Sequence, residues 1–263
     1  MSAINLNELY KSPEVNRIST FGDVAAQISP RDIETAYAEA RDVAPRRHDH
    51  NKKYFVEHAG LGNRSDNSNR KEEHLALALY SASRSADPMV LPCDRTLDIL
   101  DYQTPLKAQR RDAGIGKVDL TGLIDGRRLA VIELKVRPDS NRHGDTPLRA
   151  YLEALAYCAI VEANTAELAT EASDRFDRSI DVAPPALVVM APEDYWAGYF
   201  AHPRAGKWWP TLSTLAKETD ERLNVETHFL GLRNIDIRMG GKGRPPELIG
   251  NHSVFDIAEL ARG

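Results

Sequence analysis

Two carboxylates and an ammonium stand inside a stretch that otherwise reads as core: "GKVDLTGLIDGRRLAVIELKV", residues 116–136. Asp119, Glu133 and Lys135 interrupt runs of Val, Leu and Ile. Side chains alternate across a strand, so Leu129, Val131, Glu133 and Lys135 share one face and Ala130, Ile132, Leu134 and Val136 the other. Both faces are apolar until the strand's end, where one turns charged. The preceding run behaves alike, with Lys117, Asp119 and Thr121 on one side. Charge therefore gathers at one end of a sheet expected to be covered on both sides.

Buried like charges repel, and each costs several kcal/mol if unpaired. Two carboxylates at one place call for a cation. Lys135 supplies one charge and a divalent ion supplies more. Carboxylate oxygens suit Mg²⁺ or Mn²⁺, and Mg²⁺ usually takes one or two carboxylates plus waters and phosphate oxygens. Such an ion activates water, binds a phosphoryl oxygen and offsets transition-state charge. Lys135, on the face of Glu133, is placed to orient or deprotonate that water. A plain cross-strand salt bridge would use the same residues without any chemistry. Register separates the two cases. A two-residue Asp125-Gly126 turn pairs Asp119 with Ile132 and turns it away from Glu133. A shared face needs Asp119 opposite Glu133, hence a loop of three or five residues or a bulge. That odd register is the expectation.

The elements around this hairpin must position it. "KEEHLALALYSASRS" (71–85) reads as a helix with acids in its first turn, and "TLDILDYQTPL" (96–106) as a strand. "TPLRAYLEALAYCAIVEAN" (146–164) is a helix with Thr146 as N-cap and Pro147 at its first position. "PALVVMAP" (185–192) is a short buried strand, two helical runs follow, and 224–239 holds a final strand. Upstream, Ser29-Pro30 opens a helix to about Val43, and "GLGNRSDNSNR" (60–70) is loop punctuation. The order predicts an α/β fold: a mixed central sheet flanked by helices, a meander first and crossovers later. The expected organisation is an N-terminal helical and loop extension (1–64), a core domain (65–235), and a C-terminal basic loop with a short helix (236–263).

Composition narrows the classes. A 42% hydrophobic fraction supports a sizeable core. No apolar run approaches the roughly 18 residues of a membrane span. The N-terminus shows no signal peptide, and Cys93 and Cys158 form neither a metal spacing nor a disulfide framework. A soluble cytoplasmic protein is expected. The net charge of −5 argues against an all-over basic coat, but basic clusters occur at 41–53, 107–111 and 238–244.

Asp119 followed by Glu133-Leu134-Lys135 resembles the signature of the PD-(D/E)XK nuclease superfamily, with the restriction-endonuclease-like fold. The order helix, three strands, helix, strand matches that core (αβββαβ) over about residues 65–192. The resemblance implies that Asp119, Glu133 and the backbone carbonyl of Leu134 bind Mg²⁺ or Mn²⁺, and that Lys135 positions the attacking water. It implies a further glutamate from the first helix. Glu72 and Glu73 both qualify, but they lie about 100° apart around the helix, so only one can face the site. Members with Gln-x-x-x-Tyr on the second helix have Glu153 and Tyr157 as counterparts here; the Tyr matches and the Gln does not. Val118 stands where the family name has Pro. Arg149 and Tyr157 on that helix, and Arg142 in the loop "RPDSNRHGD" (137–145), are candidates to touch substrate. Arg149 and Glu153 also fit a plain surface pair. The function expected is a metal-dependent nuclease acting on nucleic acid, DNA foremost, with no membrane partner and with a homodimer compatible. The alternative is a catalytically silent nuclease-like fold that binds nucleic acid or protein.

Overall fold

The computed structural model describes residues 5–56, 58, 71–138, 144–240 and 244–262. In chain order the elements are α1 (Leu6–Leu9), α2 (Phe21–Gln27), α3 (Pro30–Asp42), α4 (Lys71–Ser83), β1 (Met89–Val90), β2 (Thr96–Pro105), β3 (Lys117–Ile124) and β4 (Arg128–Leu134). Then come α5 (Pro147–Ala163), α6 (Thr165–Phe176), β5 (Ala186–Pro192), α7 (Glu193–Phe200), α8 (Trp208–Leu223), β6 (Glu226–Arg233), β7 (Asp236–Arg238), β8 (Glu247–Ile249) and β9 (Ser253–Asp256).

Seven strands form one mixed sheet in the order β1-β2-β3-β4-β5-β6-β9. The first four are an antiparallel meander, β4, β5 and β6 run parallel, and β9 returns antiparallel. Parallel strands need crossovers, and the helices α5–α6 and α7–α8 supply them. The sheet curls until β1 lies against β9. β7 and β8 make a separate two-stranded ribbon.

Both faces are covered, as the double-sided apolar runs require. One core gathers Leu129 and Val131 of β4, Leu187 and Val189 of β5, and the inner faces of α5 and α8. The N-terminal segment joins this same core through Tyr10, Phe21, Ile33 and Tyr37. The other core gathers Leu120, Ala130, Ile132, Leu134 and Val188 under α4. Among the described residues no helix is long and apolar enough to cross a membrane.

Local details add to or depart from the sequence reading. Ser29 makes no side-chain capping bond to α3, although Pro30 occupies the first position. Segment 236–263 carries β7, β8 and β9 as well as a short 3-10 helix, so it extends the main sheet. Trp208 is buried against Trp196, with rings near parallel and centroids 6.4 Å apart.

At the far end of the sheet from the charged hairpin end, Glu226 ties β6 to two neighbours. His228 Nε2 lies 3.0 Å from it, Arg95 Nη1 2.6 Å and Arg128 Nη1 3.2 Å. The His228 ring, then Arg95, hold the Glu226 carboxyl down at about 2. A carboxyl lowered on folding adds stability above its unfolded pKa, lost as pH falls from about 4.5 towards 2. Glu226→Gln is therefore expected to lose roughly 2 kcal/mol at pH 7, with the deficit shrinking below pH 4. Urea unfolding at the two pH values measures it; an equal deficit at both would refute it.

Candidate active site

The β3–β4 hairpin sets the geometry. Ile124 pairs with Arg128, so the loop is the three residues Asp125, Gly126 and Arg127. Asp125 and Gly126 take φ of 50° and 70°, and the Arg127 N–H donates to the Ile124 carbonyl at 3.1 Å. This is the primed turn that Asp-Gly favours, followed by one extra residue. That residue shifts the register by one. The ladder runs back to Leu120 opposite Ile132, and the next step places Asp119 opposite Glu133. The charges demanded an odd register, and the hairpin has one.

Asp119 is fixed from two sides. Gln103 Nε2 donates to its Oδ1 at 3.0 Å, and the Leu134 backbone N–H donates to its Oδ2 at 3.0 Å. Gln103 reaches it from a backbone with φ of 52°, beyond a register shift in β2 between Ile99 and Asp101. Burial pushes the Asp119 carboxyl up, and Lys135 draws it back.

Glu133 and Lys135 are almost closed to solvent, at 4% and 3% exposure. The Lys135 ammonium donates to Glu133 Oε1. It also stands 3.7 Å from Glu153 Oε2 and 3.8 Å from Asp145 Oδ2. Burial works against the Lys135 charge, but Glu133 first, then Glu72, Glu153 and Asp119, outweigh it. They hold the ammonium well above the usual lysine range. Glu133 is pushed well up by its burial, and its Oε2 has no hydrogen-bond partner among the described residues.

The flanking helices complete the cluster. Glu72, in the first turn of α4, accepts a backbone hydrogen bond from Val136 and lies in the field of Lys135 and Asp119; burial raises its carboxyl. Glu73 is half-buried on the same turn. On α5, Arg149 Nη1 pairs with Asp145 Oδ1 at 3.2 Å and not with Glu153. Glu153 turns inward to Lys135 and accepts from the Tyr157 hydroxyl at 3.0 Å. The plain Arg149–Glu153 surface pair is thus corrected, because Glu153 faces the buried ammonium. Tyr157 is itself buried. Arg142 lies outside the described residues.

The sequence reading did not include Asp145, nor the contacts of Gln103 and Glu153. A signal existed for two of these: Arg149, Glu153 and Tyr157 recur at every fourth position on one face of α5, and Asp145 continues the spacing just before its N-cap Thr146. Gln103 left none, since its reach depends on the bulge.

Among the described residues, no three His, Cys, Asp or Glu side chains form a group able to hold a metal ion by themselves. Lys135 stands among the carboxylates and occupies Glu133 Oε1. The donor chemistry nonetheless fits a hard cation. Five carboxylates, Glu72, Asp119, Glu133, Asp145 and Glu153, gather around the cations Lys135 and Arg149, and one buried oxygen, Glu133 Oε2, has no partner among the described residues. Mg²⁺ needs only one or two carboxylates when water and phosphate complete its shell. A groove of about 410 Å³ opens beside the cluster, lined by Lys71, Val136, Arg137 and Ile237 among others. No family model, curated protein or solved structure matches the chain.

Proposed function

We propose that this chain is a metal-dependent nuclease that hydrolyses phosphodiester bonds of nucleic acid, DNA foremost, on a restriction-endonuclease-like core. One observation carries the reading: the β3–β4 ladder ends at Leu120 opposite Ile132, in the register that brings Asp119 and Glu133 to the same end of a covered sheet, with Lys135 buried beside Glu133 and Glu133 Oε2 without a partner among the described residues. The order α4, β2, β3, β4, α5, β5 supports the same core. The site also lies beyond the carboxyl end of β4, where open α/β sheets place their ligands.

Asp119, Glu133 and the Leu134 carbonyl would hold Mg²⁺ or Mn²⁺, with Glu72 facing them. Bound there, the ion would supply Lewis-acid stabilisation of the charge that builds on phosphoryl oxygens. Lys135 is placed as a hydrogen-bond donor, its ammonium held among Glu133, Glu153 and Asp145. It orients the attacking water by hydrogen bonding, while Asp145 and Glu153 hold the ammonium in place. Gln103 and the Leu134 N–H fix Asp119 at the required angle. The water attacks phosphorus in line and gives up its proton to solvent; one P–O bond forms as the opposite one breaks, and the 3′-oxygen leaves with a proton taken from solvent. Such positioning is most of what phosphoryl transfer asks of a protein.

The test is cleavage of plasmid and labelled duplex DNA, with RNA in parallel, under Mg²⁺, Mn²⁺ and EDTA. Cutting with either ion and none in EDTA is expected. An inert protein under all conditions would overturn the reading. The near-complete burial of Glu133 and Lys135 favours a second reading, a catalytically silent binding module. Calorimetric titration with Mn²⁺ separates the two: heat that disappears in Glu133→Gln supports the nuclease, and no heat in the parent supports the silent module.

A further inference from the structure

Two basic segments that lie far apart in sequence meet on the surface. Arg47 donates to the Lys107 carbonyl, Lys52 donates to the Ala108 carbonyl, and Gln109 Nε2 lies 2.6 Å from His50 Nε2. These contacts dock the β2–β3 loop onto the segment after α3. Within 46–53, Arg46, Arg47, Lys52 and Lys53 outweigh Asp49 by three charges. Within 107–117, Lys107, Arg110, Arg111 and Lys117 outweigh Asp112 by three more. The joined patch is therefore +6 on a chain of net charge −5, which leaves −11 for everything else.

Most of the patch is also unneutralised; Arg46 is the exception, 3.8 Å from Glu167. Four exposed arginines elsewhere carry carboxylate partners, Arg127 with Asp181, Arg178 with Asp98, Arg222 with Glu34 and Arg238 with Glu247, while Arg31, Arg84 and Arg204 stand singly and unclustered. Lys53, Lys107, Arg110, Arg111 and Lys117 are exposed and have no ion-pair partner among the described residues. Asp112, the acid inside the loop, is turned inward to accept the Ala108 and Gln109 N–H groups at 2.9 and 2.7 Å. Self-repulsion of so many free cations is tolerated where a polyanion covers them.

Position adds to charge. Lys117 pairs with Pro105 at the open end of the β2–β3 ladder, and Gln103 and Asp119 lie two residues further in on their strands. That is about 7 Å of strand. The patch thus continues from the edge of the candidate active site. Among the described residues it presents no exposed Phe, Tyr or Trp, since Tyr54 is buried beneath it. Single-strand binders stack bases on such platforms; duplex binders need only cations at phosphate spacing.

We propose that the patch formed by Lys53, Lys107, Arg110, Arg111 and Lys117 holds the phosphate backbone of duplex DNA against the site. The proposal rests on the nuclease reading for the identity of the polyanion, and on separate residues for the contact.

The test is binding, not cutting. A fluorescent 25-base-pair duplex is titrated in EDTA against the full chain and against Arg110→Glu/Arg111→Glu, at several salt concentrations. Neither side chain makes a hydrogen bond or ion pair, so the variant is expected to unfold like the parent. Its binding should weaken at least about 30-fold, and the salt slope should drop by about two, one phosphate per lost cation. An unchanged affinity or slope overturns the proposal. So does equal or tighter binding of a single strand, an RNA duplex or heparin. Because no metal is present, a chain that never cuts DNA can still pass this test, and a true nuclease can fail it.

Discussion

Glu133→Gln is expected to lower the rate of duplex cleavage at least about 10³-fold, about 4 kcal/mol of transition-state stabilisation, while the fold survives. The substitution is nearly isosteric, so it opens no cavity in a site only 4% exposed. The Gln carbonyl can still accept the hydrogen bond that Lys135 gives to Oε1. What disappears is one negative charge and the carboxylate oxygen without a partner, Oε2. Burial works against the Glu133 charge, so the unfolding midpoint should stay within about 1 kcal/mol of the parent or rise. The two readouts together are informative. A loss of cleavage with a collapsed midpoint would mean only that the site unfolded. A variant that cuts within tenfold of the parent, with the same need for Mg²⁺ or Mn²⁺, would remove Glu133 from the chemistry.

The hairpin shows what the sequence made legible. Asp125-Gly126 announces a primed turn, and a two-residue version of it would have sent Asp119 to the wrong face. The decisive fact was the energy of the charges: a lone buried carboxylate on each face is worse than two that share one cation. Those energetics call for a loop of three or five residues or a bulge, and Ile124 pairs with Arg128 across a loop of three. The same holds for α5, where Thr146 and Pro147 mark the start. The Thr146 hydroxyl accepts the Arg149 N–H at 3.2 Å.

Other parts were not legible, for identifiable reasons. β1 has two residues and β9 four, too short for alternation to rise above chance; β1 pairs with β2 and β9 with β6. α6 buries only Thr165, Leu168, Glu171 and Ala172, and half of that face is polar. Glu171 is inside because it accepts the Tyr54 and Phe55 N–H groups at 2.8 and 2.9 Å, a long-range contact that periodicity cannot register. The choice between Glu72 and Glu73 needed the rotation of α4 about its axis, which a low-amphipathicity helix leaves open. Its run from His74 to Leu79 is buried all round.

Lys135→Met carries the largest expected effect on stability, and it tests the cation demand directly. Met keeps an unbranched stem of similar length in the same buried channel, so packing changes little. The charge is what goes. Glu133 loses the Lys135 partner of its Oε1, and Glu153 and Asp145 lose a cation at 3.7 and 3.8 Å. Removing one member of a buried ion pair typically costs about 3–5 kcal/mol, because the other is left uncompensated. For a chain of this size that is a fall in unfolding midpoint of roughly 10 °C. The prediction is for EDTA. If the cluster accepts a hard cation, Mn²⁺ at about 100 times its Kd should return about 2.7 kcal/mol. The parent, whose ammonium already offsets part of the charge, should gain less. A variant that melts with the parent in EDTA would show that the carboxylates do not depend on Lys135. A destabilised variant that Mn²⁺ and Mg²⁺ leave unmoved would show that an ammonium fits this cluster and a divalent ion does not.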